Sequence, residues 1–324
     1  MEGHQIADIR VLSLPLRTRF RGLTSRELIV FRGAKRYAEF SPFVEYEDQE
    51  ASQWLRAAME FANEDLPELK REWVGVNATL PAVNGSEIDS VLETFPGFRT
   101  VKIKIAEHPE SLSEDLARVR QVAKTHADAK IRLDANGGLS VSQSLQLIEE
   151  LAEIRLEYFE QPVRTIAELK ELREQIANKN LGTKIAADES IRKAEDPLLV
   201  AREKAADIAI IKVQPLGGIQ SASNIAKQSG LDVVVSSALE SSLGLAQGLY
   251  LAASFDELPY DNGLWTQNLL ADDIVKEPLR VEDARIKVTV PELDEKKLDQ
   301  YRAPKEREEF WLQRIQRCLR LLES

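Results

Sequence analysis

Residues 100–105 read T-V-K-I-K-I. β-Branched residues alternate with lysines, which is the texture of a short strand. The alternation puts Val101, Ile103 and Ile105 on one face and Lys102 and Lys104 on the other. On a surface hairpin the lysine face would be a solvated stripe. In a parallel sheet covered by helices both faces are buried, and two ammonium groups would then enter an interior that has to neutralise them. The neighbouring segments decide between these two readings.

Short apolar runs of the same kind recur from residue 75 onward: VNATLPAV (76–83), AKIRLDAN (129–136), LEYFEQP (156–162), TKIAADES (183–190), IAIIKVQP (208–215) and LDVVVSSALES (231–241). Amphipathic helical patterns separate them, among them SEDLARVRQVAKT and AELKELREQIAN. Strand then helix, repeated, is the pattern of an α/β fold with a parallel sheet. Lys104, Asp134, Glu160, Asp188, Lys212 and Ser236 follow one another at intervals of 24 to 30 positions, each at the same phase of its repeat. Seven such units favour a closed barrel, whose active site lies at the C-terminal strand ends. An open doubly wound sheet would carry G-x-G-x-x-G after its first strand, where this chain has V-N-G-S-E (83–87).

Outside the repeats, two strand-like runs, Ile6–Leu16 and Glu27–Phe31, flank a polar segment, and residues 48–63 show helical periodicity. After about residue 255 the regularity fades. Residues 286–301 are expected to return to the N-terminal part, and 303–323 to form a charged amphipathic helix. Gly137–Gly138 and Gly217–Gly218 read as turn glycines, since no P-loop pattern follows.

The chain has 324 residues, 43% hydrophobic and 30% charged, with a net charge of −11. That balance argues against nucleic-acid or anionic-membrane partners, which need clustered Lys and Arg. No apolar run approaches the ~18 residues of a membrane span, and the N-terminus lacks the pattern of a secretion signal. The single cysteine, Cys318, excludes an intramolecular disulfide and reads as inert. The expected compartment is the cytoplasm, and no obligate protein partner is evident. His4, His108 and His126 are not spaced as metal ligands, so histidine chemistry is not expected.

The chemistry lies in the strand ends: Lys-x-Lys, Asp, Glu, Asp, Lys. Three carboxylates at one height repel one another unless a cation stands among them. With no His or Cys nearby, Mg²⁺ suits the oxygen donors better than zinc. An ammonium beside a dication and other ammonium groups has its charged form disfavoured, so it can serve as a general base near neutral pH. Metal plus lysine is equipment for removing a proton from carbon next to a carboxylate. Any one of L-D-A-N, F-E-Q-P or A-D-E-S could be an ordinary turn or helix cap; five polar strand ends in phase are harder to obtain by chance.

Together V-K-I-K-I, L-D-A-N-G, F-E-Q-P, A-D-E-S and I-I-K-V-Q-P-L-G-G resemble the enolase superfamily, in its muconate-lactonizing-enzyme branch. The resemblance implies a modified TIM barrel, (β/α)₇β, over 75–270. It also implies an α+β capping domain over 1–74, completed by 271–324. It implies Asp134, Glu160 and Asp188 as Mg²⁺ ligands, Lys104 as catalytic base, Lys102 as its neighbour and Lys212 across the site. Within the branch, V-V-S-S-A-L-E-S-S-L-G (234–244) and L-R-T-R-F-R-G-L-T-S-R-E (16–27) are similar to dehydratases of menaquinone synthesis. Those lyases aromatise 2-succinyl-6-hydroxy-2,4-cyclohexadiene-1-carboxylate. The expected partner is thus a small dicarboxylate.

Ser236, Ser237 and Gly244 would offer backbone donors to the succinyl carboxylate. Arg17, Arg19, Arg21 and Arg26 would form a cationic lid over the dianion, with Arg19 and Arg21 as its substrate contacts. Asn136, a further substrate contact, and Glu189 would support the ligands from behind. The rivals are an N-acylamino acid racemase on the same scaffold, with Lys104 and Lys212 as opposed bases, and a non-catalytic barrel that binds a carboxylate.

Overall fold

The computed structural model describes residues 5–20, 22–107 and 112–323. Strands β1 (Ala7–Phe20), β2 (Leu23–Arg32) and β3 (Tyr37–Phe40) form an antiparallel sheet in that order. Helix α1 (Asp48–Asn63) buries Trp54, Leu55, Ala58, Phe61 and Ala62, the three- and four-residue spacing of one helix face. The segment expected to be a loop after Leu16 is instead a long hairpin, with Leu14 opposite Arg26 and Phe20 opposite Leu23. Cross-strand pairing uses backbone groups and not side chains, so the arginines did not break the strands, although the register shifts between Pro15 and Phe20.

The chain then alternates: β4 (Trp73–Gly75), β5 (Ala78–Leu80), α2 (Ile88–Leu92), β6 (Thr100–Lys104), α3 (Leu112–Thr125), β7 (Lys130–Asp134), α4 (Val141–Glu150), β8 (Leu156–Glu160), α5 (Ile166–Asn178) and β9 (Ile185–Ala187). Two short helices follow, α6 (Glu189–Arg192) and α7 (Leu199–Arg202), then β10 (Ile208–Ile211), α8 (Ile219–Ser229), β11 (Asp232–Val235) and α9 (Ser242–Ser254). Strands β5 to β11 form one parallel sheet in sequence order. Residues 262–263 close it. Asn262 bridges Val76 beside β5, and Gly263 bridges Ser236 beside β11, both in parallel. Seven βα units and one closing segment make the ring. The fold is a (β/α)₇β barrel.

Val101, Ile103, Leu133 and Phe159 point outward under the helices and are fully buried. Inside, Tyr158, Ala186, Ile208, Ile210 and Val234 pack into a separate apolar plug below the strand ends. Serine and threonine capping boxes at Ser140 and Thr165 start α4 and α5. Helix α8 begins differently. Glu60 of α1 accepts from the backbone N–H of Ile219 (2.6 Å) and of Gln220 (3.2 Å). Gly217 and Gly218 are turn glycines in left-handed backbone (φ 80° and 126°), and a Cβ on either would run into Arg56 or Glu60.

The C-terminal segment packs against the N-terminal part. Strands β12 (Val281–Glu282) and β13 (Arg285–Lys287) extend from β4, and Arg302 bridges Leu12. Helices α10 (Glu295–Gln300) and α11 (Lys305–Glu323) follow, and α11 lies along α1 and β1. The Trp311 indole N–H donates to Glu27 of β2 at 2.8 Å. Cys318 is buried on α11, and burial pushes its thiol up to about 11. Among the described residues, no helix is long and apolar enough to cross a membrane.

Candidate active site

Alternation along β6 turns Lys102 and Lys104 into the barrel, and register does the rest. Lys104 of β6 pairs with Asp134 of β7, and Asp134 with Glu160 of β8. Asp188 follows β9, and Lys212 follows β10, four places round the ring from β6. The charged interior, not the solvated stripe, is what the fold adopts.

The carboxylates and amines meet almost one for one. Lys102 Nζ donates to both Glu160 oxygens (2.9 and 3.0 Å) and stands 3.2 Å from Asp134 Oδ2. Lys104 Nζ donates to Asp134 Oδ2 (2.5 Å) and to Asn136 Oδ1 (2.8 Å). Lys212 Nζ donates to Asp188 Oδ2 (2.6 Å). All three carboxylates are buried.

The two lysines of β6 are not equivalent. Burial works against the Lys102 ammonium, yet Glu160 and Asp134 beside it raise its pKa well above the usual lysine range. Lys104 goes the other way: burial lowers it, Asp134 opposes that, and the Lys102 charge lowers it again. Lys102 is thus a fixed cation and Lys104 the amine more easily made neutral. Burial raises the Glu160 carboxyl, and the neighbouring Asp134 carboxylate adds to that. For Asp134, burial is overcome by Lys104 and Lys102; for Asp188, by Arg192 and Lys212. Both end below the usual range.

The donor chemistry suits a hard divalent ion: three acidic side chains from adjacent strands, each in the field of the others, with no His or Cys among them. In this arrangement ammonium groups hold the carboxylates. Among the described residues no three Asp, Glu, His or Cys side chains are gathered round a single ion position.

Around this cluster lies a narrow pocket. Lys102, Lys104, Lys212, Asn136, Ser236 and Ser237 line it, and Phe43, Tyr46 and Trp54 reach it from the N-terminal part. Asn136, in left-handed backbone (φ 46°), links Lys104 to Glu189, donating to Glu189 Oε1 at 3.2 Å. A second cleft adjoins it, lined by Arg17, Arg19, Lys104 and Asn136.

Several expectations are corrected. The N–H groups of Ser236 and Ser237 are spent on the barrel ladder, donating to Ile211 O (2.9 Å) and Gly263 O (3.0 Å), so they are not free for a ligand. The Ser237 hydroxyl is within 2.7 Å of both Gly263 O and Thr266 Oγ1. Of the four arginines, Arg26 is not on a lid at all but buried beneath the pocket wall. Arg17 donates to Leu270 O at 2.8 Å. Arg21, like His4 and His108, lies outside the described residues.

Two functional neighbours escaped the sequence reading. Arg192, one helical turn after Asp188, donates to Asp188 Oδ1 (3.0 Å), Glu189 Oε1 (2.5 Å) and the Tyr46 hydroxyl (3.2 Å). Its i+4 spacing from Asp188 was the signal available. Gln161 accepts through Oε1 from the N–H groups of Asp188 (3.0 Å) and Ser190 (3.1 Å), fixing the turn that carries Asp188. Its place after Glu160 in F-E-Q-P was the signal there.

A family model described as "Enolase C-terminal domain-like" matches residues 89–292, and one described as "Enolase N-terminal domain-like" matches 11–62. The o-succinylbenzoate synthase of Mycobacterium tuberculosis H37Rv is 44% identical over 313 residues, 96% of this chain and 94% of the relative. That of Mycolicibacterium smegmatis is 44% identical over 316 residues, 97% and 96% of the two chains. Among solved structures, muconate lactonizing enzyme from Pseudomonas putida superposes with a TM-score of 0.75 at 21% identity, covering 92% of this chain and 99% of that one. An N-succinyl Arg/Lys racemase from Bacillus cereus gives 0.77 at 18%, covering 93% and 98%. At these identities the two structures speak for the fold alone.

Proposed function

From the premise that the chain belongs to the enolase superfamily, among the o-succinylbenzoate synthases, we infer that it is a carbon–oxygen lyase of menaquinone synthesis. It dehydrates 2-succinyl-6-hydroxy-2,4-cyclohexadiene-1-carboxylate to o-succinylbenzoate. The observation that carries the mechanism is that two unlike lysines of one strand, and a third from the opposite strand, meet one buried carboxylate cluster.

Lys104 is the base we propose. Its Nζ takes the proton from the carbon bearing the carboxylate, and the same ammonium returns that proton to the hydroxyl on the adjacent carbon. One C–H and one C–O bond break, the ring gains its third double bond, and water leaves. Because aromatisation drives the step, one amine serves as acid and base in turn. Asn136 holds that amine through its side-chain oxygen. Lys102, held charged by Glu160 and Asp134, favours neutral Lys104. Lys212 faces the developing negative charge from the other side.

Asp134, Glu160 and Asp188 would hold the divalent metal typical of the family, and we propose Mg²⁺. When bound, such an ion supplies Lewis-acid stabilisation of charge on the substrate carboxylate. Arg19, Ser236 and Asn136 line the space open to substrate, and Glu189 orients Asn136. For the division of the chain we propose 1–74 with 271–324 as cap and 75–270 as barrel, with the cytoplasm as compartment.

The test is direct. Protein with Mg²⁺ and the diene should form o-succinylbenzoate well above the spontaneous rate, followed by loss of diene absorbance and by chromatography of the product. No product above background would sink the reading. The placement of Lys104 and Lys212 on opposite strands also favours a second reading, racemisation of an N-acylamino acid with the two as opposed bases. Racemisation of an N-succinyl amino acid faster than dehydration of the diene would put that reading first.

A further inference from the structure

We propose that Arg26 is a positioning residue for substrate binding, which locks the turn at Leu239 and so fixes the apolar wall that cap and barrel build together. The proposal rests on the reading that this pocket takes the succinylated cyclohexadiene carboxylate.

Leu239 is the starting observation. It has left-handed backbone (φ 64°), which a branched side chain keeps only where its surroundings hold it. It lines the candidate pocket, yet its side chain is buried. What holds it comes from the capping sheet. Arg26 on β2, only 2% exposed, donates from Nε to Leu239 O at 2.9 Å. Its Nη2 donates to Ser41 O, just past β3, and its guanidinium carbon stands 4.2 Å from the centre of the Phe43 ring. Phe43 lines the same pocket. One planar cation therefore fastens a cap wall residue and a barrel wall residue together.

The same turn is held at its far end. Glu39 of β3 accepts from the backbone N–H and the hydroxyl of Ser241, the residue that caps α9. Residues 239–241 are thus gripped from one sheet at two points. The geometry calls for arginine in particular. Two diverging carbonyls and a ring face need a flat fork of donors, where a lysine offers a single point. Burial works against the Arg26 charge and lowers its pKa from the usual arginine value, which nearby Glu39 and Glu240 offset only in part. Arg26 touches none of the lysines or carboxylates of the proposed chemistry, so its loss should be felt in binding rather than in the chemical step.

Steady-state kinetics on the Mg²⁺-loaded enzyme separate the two. Arg26→Met keeps the apolar stem and removes the fork; KM should rise about tenfold or more with kcat within about threefold of wild type. Arg26→Lys should recover part of that loss. A KM for Arg26→Met within about twofold of wild type, or a fall in kcat at unchanged KM, overturns the proposal. If circular dichroism shows Arg26→Met unfolded, Arg26→Lys carries the test: a KM rise of about threefold or more supports it, and an unchanged KM overturns it. A wild type without dehydratase activity overturns the functional reading instead. The proposal is then decided by calorimetric titration with o-succinylbenzoate, expected to bind Arg26→Met about tenfold more weakly, and equal or absent binding to both proteins overturns it.

Discussion

Strand β7 buries an arginine and an aspartate two residues apart on one interior face, and the two ends of the barrel treat such charges differently. Towards the N-terminal end, Arg132 is fully buried among fixed partners. It donates to Glu157 (2.6 Å), to Asn77 Oδ1 (2.9 Å) and to Asp261 O (2.7 Å), and its guanidinium carbon lies 4.7 Å from the Tyr158 ring centre. Asn77 and Asp261 flank the seam where residues 262–263 close the ring, so this cation fastens the barrel. At the C-terminal end, Asp134 and its neighbours pair directly with lysines that line an open pocket. The first charge is buried to hold the protein to itself. The second set is arranged around a space for something else to enter.

That contrast can be broken at either end. The largest effect should come from Lys104→Ala, which we expect to lower kcat/KM roughly a thousandfold or more while the melting curve stays that of wild type. Activity within tenfold of wild type would remove Lys104 from the mechanism. Chelation by EDTA should abolish turnover, and added Mg²⁺ should restore it; turnover surviving exhaustive chelation would remove the metal from the mechanism.

Arg132→Met should do the reverse. It takes the donor from Asn77 Oδ1 and Asp261 O while Glu157 keeps Lys130, and we expect a loss of about 1–3 kcal/mol in urea unfolding with kcat unchanged in the folded fraction. A stable, inactive Arg132→Met would mean that the two ends do not divide the work as described. Arg192→Lys sits between the extremes, since one lysine cannot serve Asp188, Glu189 and Tyr46 at once. Mn²⁺ titration followed by electron paramagnetic resonance should show affinity weakened about 10–100-fold, and wild-type affinity would confine Arg192 to packing. The smallest effect is expected from Gly218→Ala, where strained φ and the Glu60 carboxylate oppose a Cβ. Thermal unfolding should report a loss of about 1–3 kcal/mol with kcat preserved, and an unchanged midpoint would show that the α1–α8 contact yields easily.

The candidate site was legible where chemistry coincides with period. Lys102, Lys104, Asp134, Glu160, Asp188 and Lys212 stand at one phase of a strand–helix repeat, so their convergence needed only the barrel geometry. Phe43, Tyr46 and Trp54 were not legible, because aromatic residues around a helix start read as core, and each is indeed buried as well as lining the pocket. Arg26 was misread for a related reason. Composition marks an arginine as a solvated or ligand-facing cation, and only long-range backbone acceptors, Leu239 O and Ser41 O, make it a buried one. The Ser236 and Ser237 donors failed because a strand continued one bridge further than its apolar run, through contact with Gly263.

Alternation and repeat spacing are local properties, carried by side-chain polarity along the chain, and by themselves they determined the barrel and the identity of its polar rim. Which lysine has its charged form favoured and which has it disfavoured, which wall the cap contributes and which arginine packs behind it, depends on distances between residues far apart in sequence. Burial and charge–charge energies change steeply over a few ångströms, and only the closed ring with its cap brings those groups to such distances.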